Sequence, residues 1–236
     1  MPAPVCLVTG VESDTGTGAE IARRFAVGGY QVAMLARAAK RLKELEQSIT
    51  GTKAYPCDVA NLDKLVSTIA KVKKQLGPPR IVVHNAQRSS RGSLLKLDPE
   101  ELEKNFRVST TALLYLARET IPDMLEAGRG SIMVTGNISA TRGKAEWGFF
   151  ASTKASQRIL AEAIAREYGP QGIHVAYFII DAMIDNPLTR PVLAPDKPDD
   201  FFAKPNILAE EIFKIAHQNP SAWSFRVELR PSGENW

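Results

Sequence analysis

Seven short apolar runs recur along this chain, and a segment of helical periodicity follows nearly every one. The runs are Pro4–Thr9, Tyr30–Ala36, Lys53–Pro56, Arg80–His84, Ser131–Thr135, Ile173–Ile180 and Trp223–Leu229. Helical patterning falls at Gly18–Val27, Lys40–Ile49, Leu62–Leu76, Pro99–Ala127, Ala151–Tyr168 and Ile207–His217. In the first of these, Ile21, Ala22, Phe25 and Ala26 share one stripe, and Gly28-Gly29 ends it. Asn206, after Pro205, is the expected cap of the last. Strands that alternate with helices are joined by right-handed crossovers. The expected class is therefore α/β, a doubly wound seven-stranded parallel sheet with helices on both faces. The 236 residues suit a single domain spanning 1–236, large enough to bury a core without staples. The segment 182–205, proline-rich from Pro187 to Pro205, is the long irregular stretch. It reads either as a lid over a site beyond the sixth strand or as a surface loop stiffened by prolines.

Charge excludes some partners. Thirty Lys and Arg against 26 Asp and Glu leave a formal charge of +4, with the basic residues dispersed. Lys40-Arg41-Leu42-Lys43 reads as a solvated helix face, and no nucleic-acid partner is expected. Cys6 and Cys57 form no CxxC pair and read as buried free thiols in a reducing compartment. No apolar run is long enough to span a bilayer, and no charged-then-apolar leader opens the chain. A cytoplasmic protein without a membrane partner is the expectation. His84, His174 and His217 fall on separate elements, so neither a metal site nor a Ser-His-Asp triad is expected.

The first run ends in Thr9-Gly10-Val11-Glu12-Ser13-Asp14-Thr15-Gly16-Thr17-Gly18. Glycines at a strand-to-helix turn let backbone amides approach a pyrophosphate, and the helix N-terminus adds a favourable dipole. Gly10, Gly16, Thr17 and Gly18 are thus candidate cofactor-binding residues. Glu12 and Asp14 repel phosphate if they face it and are harmless if they face solvent or if Asp14 caps the helix. The second run ends at Ala36-Arg37, without the carboxylate that bonds both ribose hydroxyls of NAD. Arg37 suits a 2′-phosphate, so NADP is expected before NAD; a solvated arginine is the plain alternative. Asp58 and Val59, after the third run, suit an adenine amine, with helix capping as the competing role for Asp58.

Together these positions resemble the classical short-chain dehydrogenases/reductases, from Val5 to about Arg230. Thr9-Gly10 with Gly16 and Gly18 is similar to the family's T-G-x-x-x-G-x-G with two extra residues. Asp58 matches its adenine-contacting aspartate, and His84-Asn85-Ala86-Gln87 resembles its N-N-A-G, which makes Asn85 a further cofactor candidate. Gly172-Ile173-His174-Val175 matches the approach to the sixth strand, and Ile180-Asp181 stands where the family has Pro-Gly. The resemblance implies a Rossmann fold, a carbonyl or alcohol substrate, and a homodimer or homotetramer. Its two-fold helices would be Thr111–Leu125 and Ala151–Glu167, with Ala151, Ala155 and Ala163 either allowing close approach or packing on the parent sheet.

The family's tetrad of Asn, Ser, Tyr and Lys falls here on Ser109, Asn137, Phe150 and Lys154. Only the lysine is retained, and a benzyl ring cannot exchange a proton. Phe for Tyr, Asp in place of Pro-Gly, and Glu228-Leu229-Arg230-Pro231 with Glu234 and Trp236 resemble a divergent branch. Lys154, one turn after Phe150, is expected to reach the nicotinamide ribose and is a candidate direct acid. Asn137 and Ser139 could donate to a carbonyl oxygen. His84 is either a replacement acid or a packed, backbone-bonded histidine. Trp147, Phe149, Phe150 and Tyr177 line an apolar pocket or belong to the core. The Tyr-x₆-Lys spacing of enoyl reductases is absent, because Trp147 stands seven residues before Lys154. Two functions follow: an NADP-linked oxidoreductase with altered proton delivery, or a catalytically silent nucleotide-binding sensor, scaffold or partner subunit.

Overall fold

Alternation within the first strand sets up the whole architecture. In β1 (Val5–Thr9), Val5 and Leu7 enter one apolar cluster while Cys6 and Val8 enter another. Period-two side chains point to opposite faces, so a strand apolar at every position must be covered on both. The computed structural model, which describes residues 2–187 and 189–233, has that arrangement. After β1 come α1 (Thr17–Val27), β2 (Gln31–Ala36), α2 (Ala39–Ser48), β3 (Thr52–Pro56), α3 (Leu62–Leu76) and β4 (Pro79–His84). Then follow α4 (Glu100–Phe106), α5 (Ala112–Glu126), β5 (Gly130–Thr135), α6 (Gly148–Tyr168) and β6 (Ile173–Ile180). The chain continues through β7 (Met183–Ile184), β8 (Phe202–Ala203), α7 (Pro205–Ala216) and β9 (Arg226–Leu229).

The main sheet has seven parallel strands in the order β3-β2-β1-β4-β5-β6-β9. One core, around Leu7, Leu35, Val82, Ile132 and Tyr177, takes in residues of α3, α5 and α6. The other, around Val8, Met34, Val83, Met133 and Phe178, takes in residues of α1, α2 and α7. The chain winds outward from β1 to β3, then returns to place β4 beside β1, with Thr9 opposite His84. That reversal opens a crevice beyond the C-terminal ends of β1 and β4, where open α/β sheets hold ligands.

Four local features differ from the sequence expectation. The helical stretch over 99–127 is interrupted by a five-residue π segment, Arg107–Thr111, which contains Ser109. The helix expected from Ala151 begins at Gly148, so Phe149 and Phe150 lie inside it. The last helix is capped by Lys204 with Pro205 in its first turn, which puts Asn206 inside the helix rather than at its cap. The last strand begins at Arg226 rather than Trp223, which instead stacks on His174 at 4.8 Å.

The 182–205 segment also has structure of its own. β7 pairs with β8, Met183 opposite Phe202 and Ile184 opposite Ala203. Met183, Ala194, Phe201 and Phe202 form a small separate apolar cluster. Asp185 bridges Arg190 at 2.7 Å and Lys204 at 2.8 Å, and Asp199 meets both cations at 2.7 Å. Enough apolar area gathers here to order a stretch that its prolines alone mark as irregular.

Candidate active site

Glycine is required at two points of the β1–α1 turn because the turn passes hard against the end of β4. Gly10 has φ +74°, and a Cβ there would lie 2.7 Å from the Ala86 backbone nitrogen. A Cβ on Gly18 would lie 2.4 Å from the Gly10 carbonyl oxygen and 3.0 Å from Asn85 Nδ2. Asn85 Nδ2 donates to the Gly10 carbonyl at 3.1 Å, and Thr135 Oγ1 donates to Asn85 Oδ1 at 3.0 Å. Gly16 is the N-cap of α1, and no side chain caps that helix, so Asp14 does not. Asp14 is exposed and offers only its carbonyl, to Arg23 at 2.7 Å. The amides of the first turn of α1, including Thr17, therefore have no side-chain oxygen in front of them.

Arg37 leaves the end of β2 and folds back on the turn. Its Nε and Nη2 donate to the two carboxylate oxygens of Glu12 at 2.7 and 3.0 Å. The pair raises the Arg37 pKa, chiefly through the Glu12 hydrogen bond. Asp58 is exposed and accepts from the Ala60 amide at 3.0 Å, while Asn61 caps α3 by accepting from Lys64. Helix capping, the competing role for Asp58, thus belongs to Asn61. The Val59 side chain is in the core, which leaves only its backbone for a ligand. Beside Asp58 lies a hollow of about 580 Å³ lined also by Ala60, Asn61, Arg107 and Tyr115. A second cavity of about 430 Å³ lies between the start of α1 and the 182–205 segment, lined by Thr15, Glu20, Asp185, Arg190, Lys204 and Asn206.

The tetrad positions lie near the ends of β4 and β5 and the start of α6, and their polar groups bond to neighbouring residues. Thr9 Oγ1 accepts from the Asn85 and Ala86 amides at 3.1 Å each, which uses both its lone pairs. Its proton is therefore directed to His84 Nδ1 at 3.0 Å, and this assigns the proton of the ring to Nε2, which donates to the Ser109 carbonyl at 2.9 Å. His84 is fully buried, and burial pulls its pKa down to about 4. It is a neutral, packed histidine rather than a replacement acid. Ser109 offers its carbonyl, not its hydroxyl: that buried oxygen has no partner among the described residues. The π segment aims the same carbonyl at side chains outside the helix, and Gln157 Nε2 donates to it at 2.9 Å.

Lys154 is 0% exposed. Its nitrogen donates to Gln157 Oε1 at 3.0 Å and to the Thr135 carbonyl at 3.3 Å. Burial alone pulls its pKa down to about 7. The Phe150 ring, 5% exposed, lies 5.8 Å from that nitrogen, and Trp147 packs edge-on against Phe150 at 5.8 Å. In this arrangement the lysine faces inward, so contact with a ribose requires the Phe150 ring or Gln157 to move. Gln157 was not legible as a site residue, although its i+3 spacing from Lys154 puts both on one helix face. Asn137 is also occupied, donating to the Ile180 carbonyl at 3.3 Å and accepting from the Ser139 amide at 2.9 Å. Tyr177 is core: its hydroxyl lies 3.2 Å from the Lys154 carbonyl, and burial raises its pKa far above the ordinary value.

Asp181, in the Pro-Gly position, pairs with Arg142 at 3.4 Å and Arg230 at 3.8 Å. Glu228 in turn pairs with Arg226 and Arg230 at 3.3 Å each. Glu234 and Trp236, the rest of that C-terminal pattern, lie outside the described residues. Cys6 and Cys57 are buried and free. Among the described residues no helix is long and apolar enough to cross a membrane.

Comparison with known proteins bears on this geometry. A family model described as Enoyl-(Acyl carrier protein) reductase matches residues 10–213. An uncharacterized short-chain type dehydrogenase/reductase of Sinorhizobium fredii is 30% identical over 176 residues, covering 72% of this chain and 70% of its own. A crystal structure of a short-chain dehydrogenase from Rhodopseudomonas palustris is 27% identical with a TM-score of 0.81, covering 97% of this chain and 98% of its own. A metagenomic short-chain oxidoreductase crystallised with NADP has a TM-score of 0.84 at 22% identity, covering 98% and 99%.

Proposed function

This chain belongs to the short-chain dehydrogenases/reductases, and from that membership we propose that it binds NADP(H) and acts as an oxidoreductase on a carbonyl or alcohol without the family's tyrosine. The observation that carries the reading is the β1–α1 turn, closed by glycines that no other residue can replace and followed by uncapped first-turn amides. Gly10, Gly16, Thr17 and Gly18 would hold the pyrophosphate, with Asn85 bracing the turn from β4. The hollow beside Asp58 and the Val59 backbone would take the adenine, and Arg37 the 2′-phosphate. The NADP in the metagenomic relative's complex agrees with that choice. NADP(H) would supply or accept the hydride. Lys154, near neutrality at about pH 7, is the titratable group within the tetrad able to exchange a proton. Its use requires the Phe150 wall to open.

A second reading is favoured by one observation, the complete burial of Lys154. With Asn137, Lys154 and His84 bonded inward and the Ser109 hydroxyl buried, the chain would bind the dinucleotide and transfer no hydride, acting as a sensor, scaffold or partner subunit. NADPH titration by fluorescence, followed by a carbonyl-substrate screen on wild type and Lys154→Ala, separates the two. Turnover abolished by the substitution supports the enzyme. Binding without turnover in either protein supports the silent form. Failure to bind NADPH, and NADH titrated beside it, contradicts both.

A homo-oligomer is part of the proposal. Leu114 on α5 and Ile159 on α6 are 38% and 55% exposed, on the helices the family resemblance assigns to the two-fold axis. Ala151 is buried in its own protomer, Ala155 is half-buried and Ala163 is exposed, so Ala163 is the one of the three best placed for a close approach.

A further inference from the structure

Glu12 has no role in the reading above, yet it makes the most specific contact in the cofactor half of the crevice. It lies in the β1–α1 turn that is two residues longer than the pattern it resembles. Its two carboxylate oxygens engage Arg37 through the Nε and Nη2 edge, at 2.7 and 3.0 Å. That parallel fork is the geometry a guanidinium also offers a phosphate. The position is fixed from a second side: Arg41 Nη1 donates to the Glu12 carbonyl oxygen at 2.9 Å. Two arginines thus hold one residue at the end of β2, Arg37 by its carboxylate and Arg41 by its carbonyl, where Ala36 supplies no acid of its own.

We propose that Glu12 is a tethered competitor for the 2′-phosphate at Arg37, so that the choice between phosphorylated and unphosphorylated dinucleotide is set by exchange of one anion for another. The inference rests on the dinucleotide reading. The side chains of Arg37 and Glu12 are 62% and 47% exposed, so water screens the pair and a ligand can displace it. A 2′-phosphate regains both guanidinium bonds when it displaces the carboxylate. A ribose bearing two hydroxyls does not, and it leaves the pair in place. Neutralising Glu12 leaves the Arg37 guanidinium without its competing anion. That change favours a dianionic phosphate and is nearly indifferent for a neutral diol.

The test is fluorescence titration of NADPH and NADH on wild type, Glu12→Gln, Arg37→Ala and the double variant, at low and high salt. Both positions are exposed, so the fold is retained. Glu12→Gln is expected to tighten NADPH about three- to fivefold and to leave NADH within about twofold. The gain should shrink at high salt. It should vanish on the Arg37→Ala background, because the competition acts through that side chain. Equal weakening of both nucleotides would overturn the inference, since Glu12 would then be holding the ribose hydroxyls. No change in either would overturn it as well, while leaving the dinucleotide reading intact. If none of the four proteins bound either nucleotide, the dinucleotide reading itself would fail and take this inference with it.

Discussion

The two halves of the crevice treat their polar groups in opposite ways. On the β1–β2–β3 side, Arg37, Glu12, Asp14 and Asp58 stand in solvent, and the first turn of α1 has no side-chain cap. On the β4–β5–α6 side, His84, Ser109 and Lys154 are buried, and the Asn137 amide is engaged at both ends. Groups left in water remain available to a ligand. Groups taken out of water must find protein partners, and once they do they stabilise the fold instead of waiting for a substrate. The difference separates polar groups left in water from polar groups that have become part of the core.

The largest expected effect comes from titrating the sealed half. Lysine in the unfolded chain keeps its proton to its ordinary value near 10.5, while buried Lys154 loses it at about 7. Between those values the unfolded state binds more protons, so unfolding free energy rises with pH. The rise is on the order of 5 kcal/mol across the window. Lys154→Met should flatten that part of a stability–pH curve measured by denaturant unfolding. An unchanged slope would mean the lysine is not buried as described.

His84 acts in the acid range. Its folded pKa of about 4 lies below the ordinary 6.5, so as pH falls the unfolded chain takes up the proton first. Stability should fall between pH 6.5 and 4, by about 3 kcal/mol. His84→Gln should remove that limb, as read by melting temperature against pH.

The open half is broken by sterics instead. Gly18→Ala sets a methyl 2.4 Å from the Gly10 carbonyl oxygen, a backbone atom that cannot step aside. The expected outcome is about 2 kcal/mol of destabilisation and loss of NADPH binding in a titration. Normal binding would mean the turn does not cradle a nucleotide.

The smallest effect sharpens the comparison from the other side. Phe150→Tyr restores one hydroxyl beside a lysine already bonded to Gln157 and Thr135 and an asparagine already bonded to Ile180. Groups that act as a unit do not recover singly, so turnover in a carbonyl screen should rise by less than about tenfold. A larger gain would mean that the missing tyrosine was the sole defect.

Much of this fold was legible because it is local. The apolar runs and the glycines ending α1 fix element type without tertiary information. The parts that were missed depend on distant partners. Nothing around Ser109 announces a π segment; that turn is defined by where its carbonyl points, toward His84 and Gln157 on other elements. The 182–205 segment looked irregular because its order rests on Met183 meeting Phe202 across nineteen residues. In the site, Phe150 at the position the resemblance gives to Tyr was visible as a letter. The sealing of Lys154 was not, because Gln157 becomes its acceptor only when α6 is folded against the π segment. Arg37 was legible as a candidate for a 2′-phosphate or as a solvated arginine, and its engagement by Glu12 needed the longer turn to be seen folded.

The separation of the two halves is tested most directly by NADPH titration of Lys154→Met beside wild type. If the lysine stays bonded inward to Gln157 and Thr135 when the cofactor is bound, the variant should bind NADPH within about threefold of wild type. A loss of more than about tenfold, in a variant shown to be folded, would place that nitrogen on the bound nucleotide and contradict the account.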